Sequence, residues 1–381
     1  MKCHMKVFIV TGELSGDKLA AWFVDKCLSD LSFRQKVFDG LRRDRNDIAW
    51  EGIGGDFLFG LPVEKYGRFE CLNIVGVFEV LRKLPYIFRF LKKTALHIVK
   101  EGFDCVVLVD YPGFNLRLAK IVKRLNPRIK IIYLSPPQLW VWGRWRLKSL
   151  RSFSDKVIVL YPFEVEWYKS NGLNVLYLGN PIYDRLKSFL PDLGEKWKKP
   201  GSKKILLAPG SRRMEIDFLL PIMKEIVELL RDKGFEFVVL GAESMNQQFL
   251  EQQLKRQGLS HLTVVYKDEE KKEAMKEALF AISKPGTITL ELALFGVKTI
   301  LIYKVSWPTY LLARWFVHVK WMGIMNLFFN KEIVPEFIQG DCVPARIVKS
   351  LAKKTDVRQE YKDCDLVYFK KLRSLLKYRE L

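Results

Sequence analysis

Short runs rich in β-branched residues alternate along this chain with stretches of helical periodicity, and that alternation limits its fold more than any other feature. Strand-like runs fall at residues 7–10, 105–109, 130–134 and 156–160 in the first half, and at 205–208, 237–240, 262–266, 280–283 and 299–303 in the second. Helical patterns such as 217–233 lie between them. A strand that returns parallel to its predecessor needs a crossover, most often a helix, so this order predicts parallel sheets with helices on both faces. The order breaks once. Between 184 and 204 the chain is basic and carries Pro191, Gly194, Pro200 and Gly201, residues that end regular elements. The break predicts two doubly wound α/β domains facing a cleft: a first at 1–184, a linker at 185–204, a second at 205–345, and a helical tail at 346–381. Phe369, Leu372, Leu375 and Leu376 give that tail its apolar face. With 381 residues the chain can fill two cores of about 150–200 residues each.

Lys and Arg total 64 against 43 Asp and Glu, a net charge of +21. Such an excess suits a polyanionic partner (nucleic acid, a phosphorylated substrate or an anionic membrane face) without choosing among them. Cys3, Cys27, Cys71, Cys105, Cys342 and Cys364 are scattered with no CxxC pair, the pattern of reduced thiols in a reducing compartment. The apolar run at 6–10 is too short for a signal segment and reads as a first buried strand. Lys304, Arg314 and Lys320 interrupt the longest apolar stretch, which leaves nothing near the roughly 20 residues of a membrane span. The expectation is a cytoplasmic protein able to lie on a membrane.

In doubly wound sheets ligands bind beyond the carboxyl ends of the strands, and four motifs stand there. Thr11-Gly12-Glu13-Leu14-Ser15-Gly16-Asp17 joins the first strand to a helix. Its small residues admit a ligand to a helix N-terminus, although a simple turn with Ser15 or Asp17 as N-cap explains it equally. Val109-Asp110-Tyr111-Pro112-Gly113-Phe114-Asn115 puts a carboxylate at the end of an apolar strand. Partial desolvation there raises a pKa and suits the group to accept a proton from a hydroxyl; the alternative is a turn-capping Asp before Pro112. Pro209-Gly210-Ser211-Arg212, followed by Glu215, sets backbone amides and a guanidinium at a helix start, which suits a diphosphate; the alternative is an ordinary βα loop with a surface arginine. Pro285-Gly286-Thr287-Ile288-Thr289-Leu290-Glu291 offers a glycine for close approach and, one turn beyond Thr287, a carboxylate for ribose hydroxyls. A capped helix with a solvated glutamate fits the same letters. No GxGxxG or GxxxxGK[ST] occurs, which argues against dinucleotide and Walker sites.

A basic amphipathic stripe covers 77–100, with Val77, Val80, Leu81, Leu84, Ile87, Phe88, Leu91, Ala95 and Ile98 at helical spacing among Arg82, Lys83, Arg89, Lys92, Lys93 and Lys100. Pro85 is predicted to split it into two helices. The stripe fits docking on anionic lipid through Leu84, Ile87, Phe88 and Leu91, and it fits packing on a core. Trp140, Trp142, Arg144, Trp145 and Arg146 interleave like a nucleic-acid stacking platform. They follow a predicted buried strand and read instead as packing with a basic rim, so no nucleic-acid partner is expected. His4, His97, His261 and His318 lack ligand spacing, and Asp363-Cys364-Asp365 reads as a chance DxD in a solvated loop; no metal site follows.

In their order and spacing these motifs resemble one family, the lipid-A-disaccharide synthases, glycosyltransferases of the GT-B type. The resemblance runs from about residue 7 to residue 343. It is carried by Gly12-Glu13, Ser15-Gly16-Asp17, Gly76, Glu79-Val80-Leu81, Asp110, Pro112, Phe114-Asn115, Ser135-Pro136, Trp140, Trp142 and Pro162-Phe163-Glu164 in the first half. In the second it is carried by Pro209-Gly210-Ser211-Arg212, Glu215, Gly286-Thr287, Leu290-Glu291, Tyr303-Lys304, Asn326-Leu327, Glu332-Ile333-Val334, Gln339 and Cys342. Gly113, Asn180, Met325, Asn330 and Lys331 depart from the common pattern.

The resemblance implies two Rossmann-like domains and an inverting transfer without a metal or other cofactor. UDP-2,3-diacylglucosamine would be the donor and the 6-hydroxyl of 2,3-diacylglucosamine 1-phosphate the acceptor. It gives Asp110 the part of general base and makes Arg212 necessary for activity. It assigns Gly210, Ser211, Arg212, Gly286, Thr287, Glu291 and Asn326 to the nucleotide. The loop of Glu13, Ser15, Gly16 and Asp17 would then face the acceptor or the reacting centre. It further implies a peripheral protein on the inner face of the inner membrane, paired with a second copy through its C-terminal segment. Two other classes stay open on the residues alone. A related transferase or epimerase on a soluble UDP-sugar would not need the basic stripe. A non-catalytic polyanion-binding protein would explain the charge but not Asp110 or the phosphate loops.

Overall fold

Seven short strands among the described residues build the first sheet: β1 (Met5–Val10), β2 (Ile48–Gly54), β3 (Val63–Arg68), β4 (Cys105–Val109), β5 (Lys130–Leu134), β6 (Lys156–Val159) and β7 (Val175–Tyr177). They lie in the order β3-β2-β1-β4-β5-β6-β7, every pair parallel. A second parallel sheet holds β8 (Lys204–Ala208), β9 (Glu236–Leu240), β10 (Thr263–Val265), β11 (Phe280–Ser283), β12 (Lys298–Tyr303) and β13 (Glu336–Ile338), in the order β10-β9-β8-β11-β12-β13. The structure is a computed structural model and describes residues 5–39, 48–69, 77–198, 203–242, 245–278, 280–316, 319–356 and 360–377. The chain divides into two compact units, one running to Pro181 and the other from Ile182 to Lys377.

Both sheets are doubly wound. In each, strand order reverses beside the first strand, between β1 and β4 and between β8 and β11. Chains leaving those two strands turn to opposite faces of the sheet, which opens a crevice at their carboxyl ends. Burial on both faces explains why the central strands read as unbroken apolar runs. Val106 and Leu108 of β4 join one core with Phe8, Val10, Ile131 and Tyr133, while Val107 and Val109 join another with Val7, Ile9, Ile132 and Leu134. Ile205, Leu207, Ile282, Ile300 and Ile302 join a single core on one face of the second sheet.

The structure corrects several local expectations. Pro85 does not divide the stripe: a single helix, Val77–Lys100, runs through it. Proline removes one hydrogen bond, and the packing of Leu91, Ala95 and Ile98 in the core outweighs that loss. The segment expected as linker is partly folded. The helix Leu193–Lys198 buries Leu193 and Trp197, and Lys196 donates to the carbonyls of Met275 and Phe295 at 2.7 and 2.8 Å. Asp363-Cys364-Asp365 lies within the helix Glu360–Leu376 rather than in a loop. That helix buries Phe369, Leu372 and Leu376, with the Phe369 ring edge-on to Trp197 at 5.5 Å.

Candidate active site

The motif residues of each unit gather at its switch point. In the first unit, β1 delivers Thr11 to Asp17 and the neighbouring β4 delivers Asp110. Asp110 and Tyr111 both have left-handed backbone, φ +46° and +44°, a conformation that costs energy for residues with a side chain and persists where surrounding contacts enforce it. The contacts are plain. The Asp110 amide donates to the Leu134 carbonyl at 3.0 Å, and its own carbonyl accepts from Asn115 Nδ2 at 2.8 Å and from the Tyr133 hydroxyl at 2.7 Å. Asn115 and Tyr133 are both fully buried, so the turn is clamped from below while its carboxylate stays half-buried. Burial, and then the nearby Glu13 carboxylate, push the Asp110 pKa up to about 6 against the pull of the Tyr111 amide. A carboxyl tuned in this way is ionised near neutrality yet basic enough to take a proton.

The facing loop contributes by being small. A Cβ at Gly12 would lie 2.2 Å from the Tyr111 ring, so only glycine lets the two strand ends meet. Glu13 and Ser15 are exposed on the rim, the Ser15 hydroxyl donating to the Glu13 carboxylate. Gly16 and Asp17 are not on that rim. A side chain at Gly16 would strike Thr11 Oγ1 at 2.5 Å, and Asp17 is buried, accepting from the amides of Gly55 at 2.7 Å and Phe57 at 3.0 Å. Asp17 therefore caps the short helix Asp56–Phe59 and ties the loop to β2; it does not face an acceptor.

In the second unit, β8 leads into Pro209–Arg212 and β11 into Lys284–Gly286, side by side, with the Lys284 amide donating to the Ala208 carbonyl at 3.1 Å. Gly210 has φ +121°, and a Cβ there would meet Glu215 Oε2 at 2.3 Å and Lys284 Cδ at 3.0 Å. Glu215 Oε2 accepts the amides of Ser211 at 3.0 Å and Arg212 at 3.2 Å, while its Oε1 pairs with Lys284 Nζ at 2.8 Å. Burial raises the Glu215 pKa, but Lys284 and the two amides outweigh it and hold the carboxyl below its ordinary value. Those amides, expected to cradle a phosphate, donate here to the Glu215 carboxylate. Two cations stand beside them: Arg212, exposed at the start of the helix Arg213–Leu229, and Lys284, whose ammonium is paired with Glu215. Lys284 escaped the sequence reading because only the empty Cβ positions of Gly210 and Gly286 reveal that both loops close around its chain.

Thr287 is exposed at the start of the helix Thr287–Leu294, and Glu291 on that helix pairs with Arg185 at 2.7 Å. Burial raises the Glu291 pKa while Arg185 opposes it. Arg185, from the expected linker, was not anticipated as its partner.

Asn326, expected at the nucleotide, turns its side chain inward. It is fully buried; its Oδ1 accepts from Ile333 N at 2.6 Å and Val334 N at 2.9 Å, and its Nδ2 donates to Val334 O at 2.8 Å and Glu336 Oε1 at 2.6 Å. An amide so engaged has no capacity left for a nucleotide. Its work is to hold the loop before β13. Asn326→Ala strands two buried amides, and chemical denaturation should show a loss of about 2–4 kcal/mol, with UDP affinity of the folded variant unchanged. Weaker UDP binding at unaltered stability would return it to the nucleotide site.

Two sites at switch points, one bearing a tuned carboxylate and the other a pair of cations, describe an enzyme of nucleotide-sugar chemistry built on the GT-B fold. Solved structures agree on that fold. UGT2 of Phytolacca americana, complexed with UDP-2-fluoro-glucose and pterostilbene, superposes with a TM-score of 0.55 at 12% identity over 97% of this chain and 94% of that one. MurG of Acinetobacter baumannii gives 0.54 at 14% identity over 97% and 95%. The model of the lipid-A-disaccharide synthetase family matches residues 7–380, and the chain belongs to that family. The lipid-A-disaccharide synthase of Persephonella marina is 33% identical over 355 residues, 90% of this chain and 88% of that protein.

Proposed function

We propose that this chain transfers 2,3-diacylglucosamine from UDP to the 6-hydroxyl of 2,3-diacylglucosamine 1-phosphate, with inversion, giving a β-1,6-linked disaccharide phosphate and UDP. The observation that carries the reading is Asp110: a clamped, half-buried carboxylate with a pKa of about 6 at the switch point of a chain of this family. Asp110 accepts the hydroxyl proton as the acceptor oxygen bonds to C1 of the donor. The bond from C1 to the diphosphate breaks, and its electron pair leaves with UDP. Arg212 and Lys284 meet the charge that grows there, a contribution that preorganised cations make without reorganising. Gly286, Thr287 and Glu291 line the ribose side, and Glu13 and Ser15 border the acceptor. Incubation with both acylated sugars should yield the disaccharide phosphate and UDP by mass spectrometry; a chain that binds UDP but forms no disaccharide has another function.

The acceptor and donor carry acyl chains, so the same reading puts the protein on the anionic inner face of the inner membrane, paired with a second copy through the C-terminal segment. No helix among the described residues is long and apolar enough to cross a bilayer. Of the lipid contacts expected on the helix Val77–Lys100, Leu91 is 1% exposed and belongs to the core, Ile87 packs against that core, and the Leu84 side chain lies outside the described residues. Support for lipid contact comes instead from Phe88 and Tyr86, 52% and 50% exposed beside Arg89, Lys92 and Lys93. Tyr86→Ser with Phe88→Ser should keep the fold and release the protein from anionic vesicles in a flotation assay, whereas Leu91→Ser should lower the melting temperature. Undiminished flotation of the double variant removes this helix from the membrane.

A further inference from the structure

The aromatic and basic stretch at 140–146 is only partly packing. Trp140 is packed: its indole N–H donates to Glu164 Oε1 at 3.0 Å and its ring meets Phe163 edge-on at 5.3 Å. Trp142 and Trp145, by contrast, are 46% and 61% exposed. They meet each other edge-on at 5.6 Å, and the Arg146 guanidinium lies 5.2 Å from one ring centroid and 5.7 Å from the other. Cation–π contact of this kind fixes the plane of a guanidinium without neutralising it. Among the described residues no carboxylate pairs with Arg146.

Its position matters as much as its setting. The stretch leaves β5 at its carboxyl end, and β5 neighbours β4, whose end carries Asp110. Ser135, which opens this connection, is left-handed at φ +55°, like Asp110 and Tyr111. Strained residues thus cluster on two adjacent strand ends, where a structure holds side chains for use. Tyr133 connects the two. Its hydroxyl donates to the Asp110 carbonyl, and its pKa, raised first by burial and then by Asp110, is drawn down by Arg146. Burial and then the Glu13 carboxylate raise the Asp110 pKa. Arg146 thus lies on the connection leaving the strand that neighbours the one ending in Asp110.

We propose that Arg146, steadied by Trp142 and Trp145, binds the anomeric phosphate of the acceptor sugar while Asp110 addresses the hydroxyl at the other end of that sugar. The inference rests on the acceptor named above and assigns the group that orients it. A guanidinium fork matches phosphate oxygens two at a time. Binding energy from a group that does not react is thereby used to align the one that does.

The test compares wild type, Arg146→Ala and Arg146→Lys, each with the diacylated acceptor bearing its 1-phosphate and with the same sugar lacking it. Wild type should favour the phosphorylated acceptor. Arg146→Ala should raise the KM for it about 10- to 100-fold, the worth of a charged hydrogen-bonded contact, leave the KM for the UDP donor unchanged, and lose the preference. Arg146→Lys, which keeps the charge without the fork, should recover part of it. If the alanine variant fails to fold, Arg146→Gln is read in the same way. An undiminished preference in Arg146→Ala overturns the phosphate site alone. A wild-type protein that makes no disaccharide from either acceptor overturns the catalytic reading beneath it.

Discussion

Asp110→Asn should lower turnover of the two acylated sugars by about 10²–10⁴-fold, the usual contribution of a general base, with UDP affinity intact. Asparagine is the informative replacement because it tolerates left-handed backbone better than alanine and preserves the hold of Asn115 and Tyr133 on the residue's carbonyl. The loss then reports on the carboxylate rather than on a relaxed turn. The pH dependence follows in sign. The base works only when ionised, and its pKa stands at about 6, so kcat/KM of the wild type should fall as the pH drops through about 6 and level off above it. Asp110→Asn should lack that limb. Turnover retained in the variant would take Asp110 out of the chemistry.

Arg212→Ala should be the other severe variant. Glu215 occupies the Ser211 and Arg212 amides, so the diphosphate depends on side-chain cations, and the exposed Arg212 is the one with a fork to offer. Its loss should weaken UDP about 10- to 100-fold by calorimetry and slow a single turnover about 10²-fold further, since the same contact strengthens as the leaving group gains charge. Unchanged affinity and rate would remove Arg212 from the site.

Asp110 and the two glycine loops were legible because each ends an apolar run, and parallel sheets bring such ends together. What escaped depended on partners distant in the chain. Asp17 looks like a ligand-facing acid until β2 and its short helix present the amides of Gly55 and Phe57. β2 itself was missed because Ile48–Gly54 mixes glycine and glutamate into its run, and β7 and β13, three residues each, are too short to carry a period. Asn326 and Asn115 share a residue type and full burial, and only their hydrogen bonds separate a loop brace from a clamp beneath a base. Leu91 and Phe88 lie on one amphipathic stripe, and periodicity says which residues share a helix face without saying which edge of that face meets solvent.

The space left by Gly12 is the space the Tyr111 ring fills. These positions follow different strands and lie far apart in the chain, yet they form a single evolutionary unit: bulk added at the first presses the ring of the second out of the turn that aims the carboxylate. Substitutions at 12 and 111 should be epistatic, because a side chain at the first meets the second from its Cβ outward.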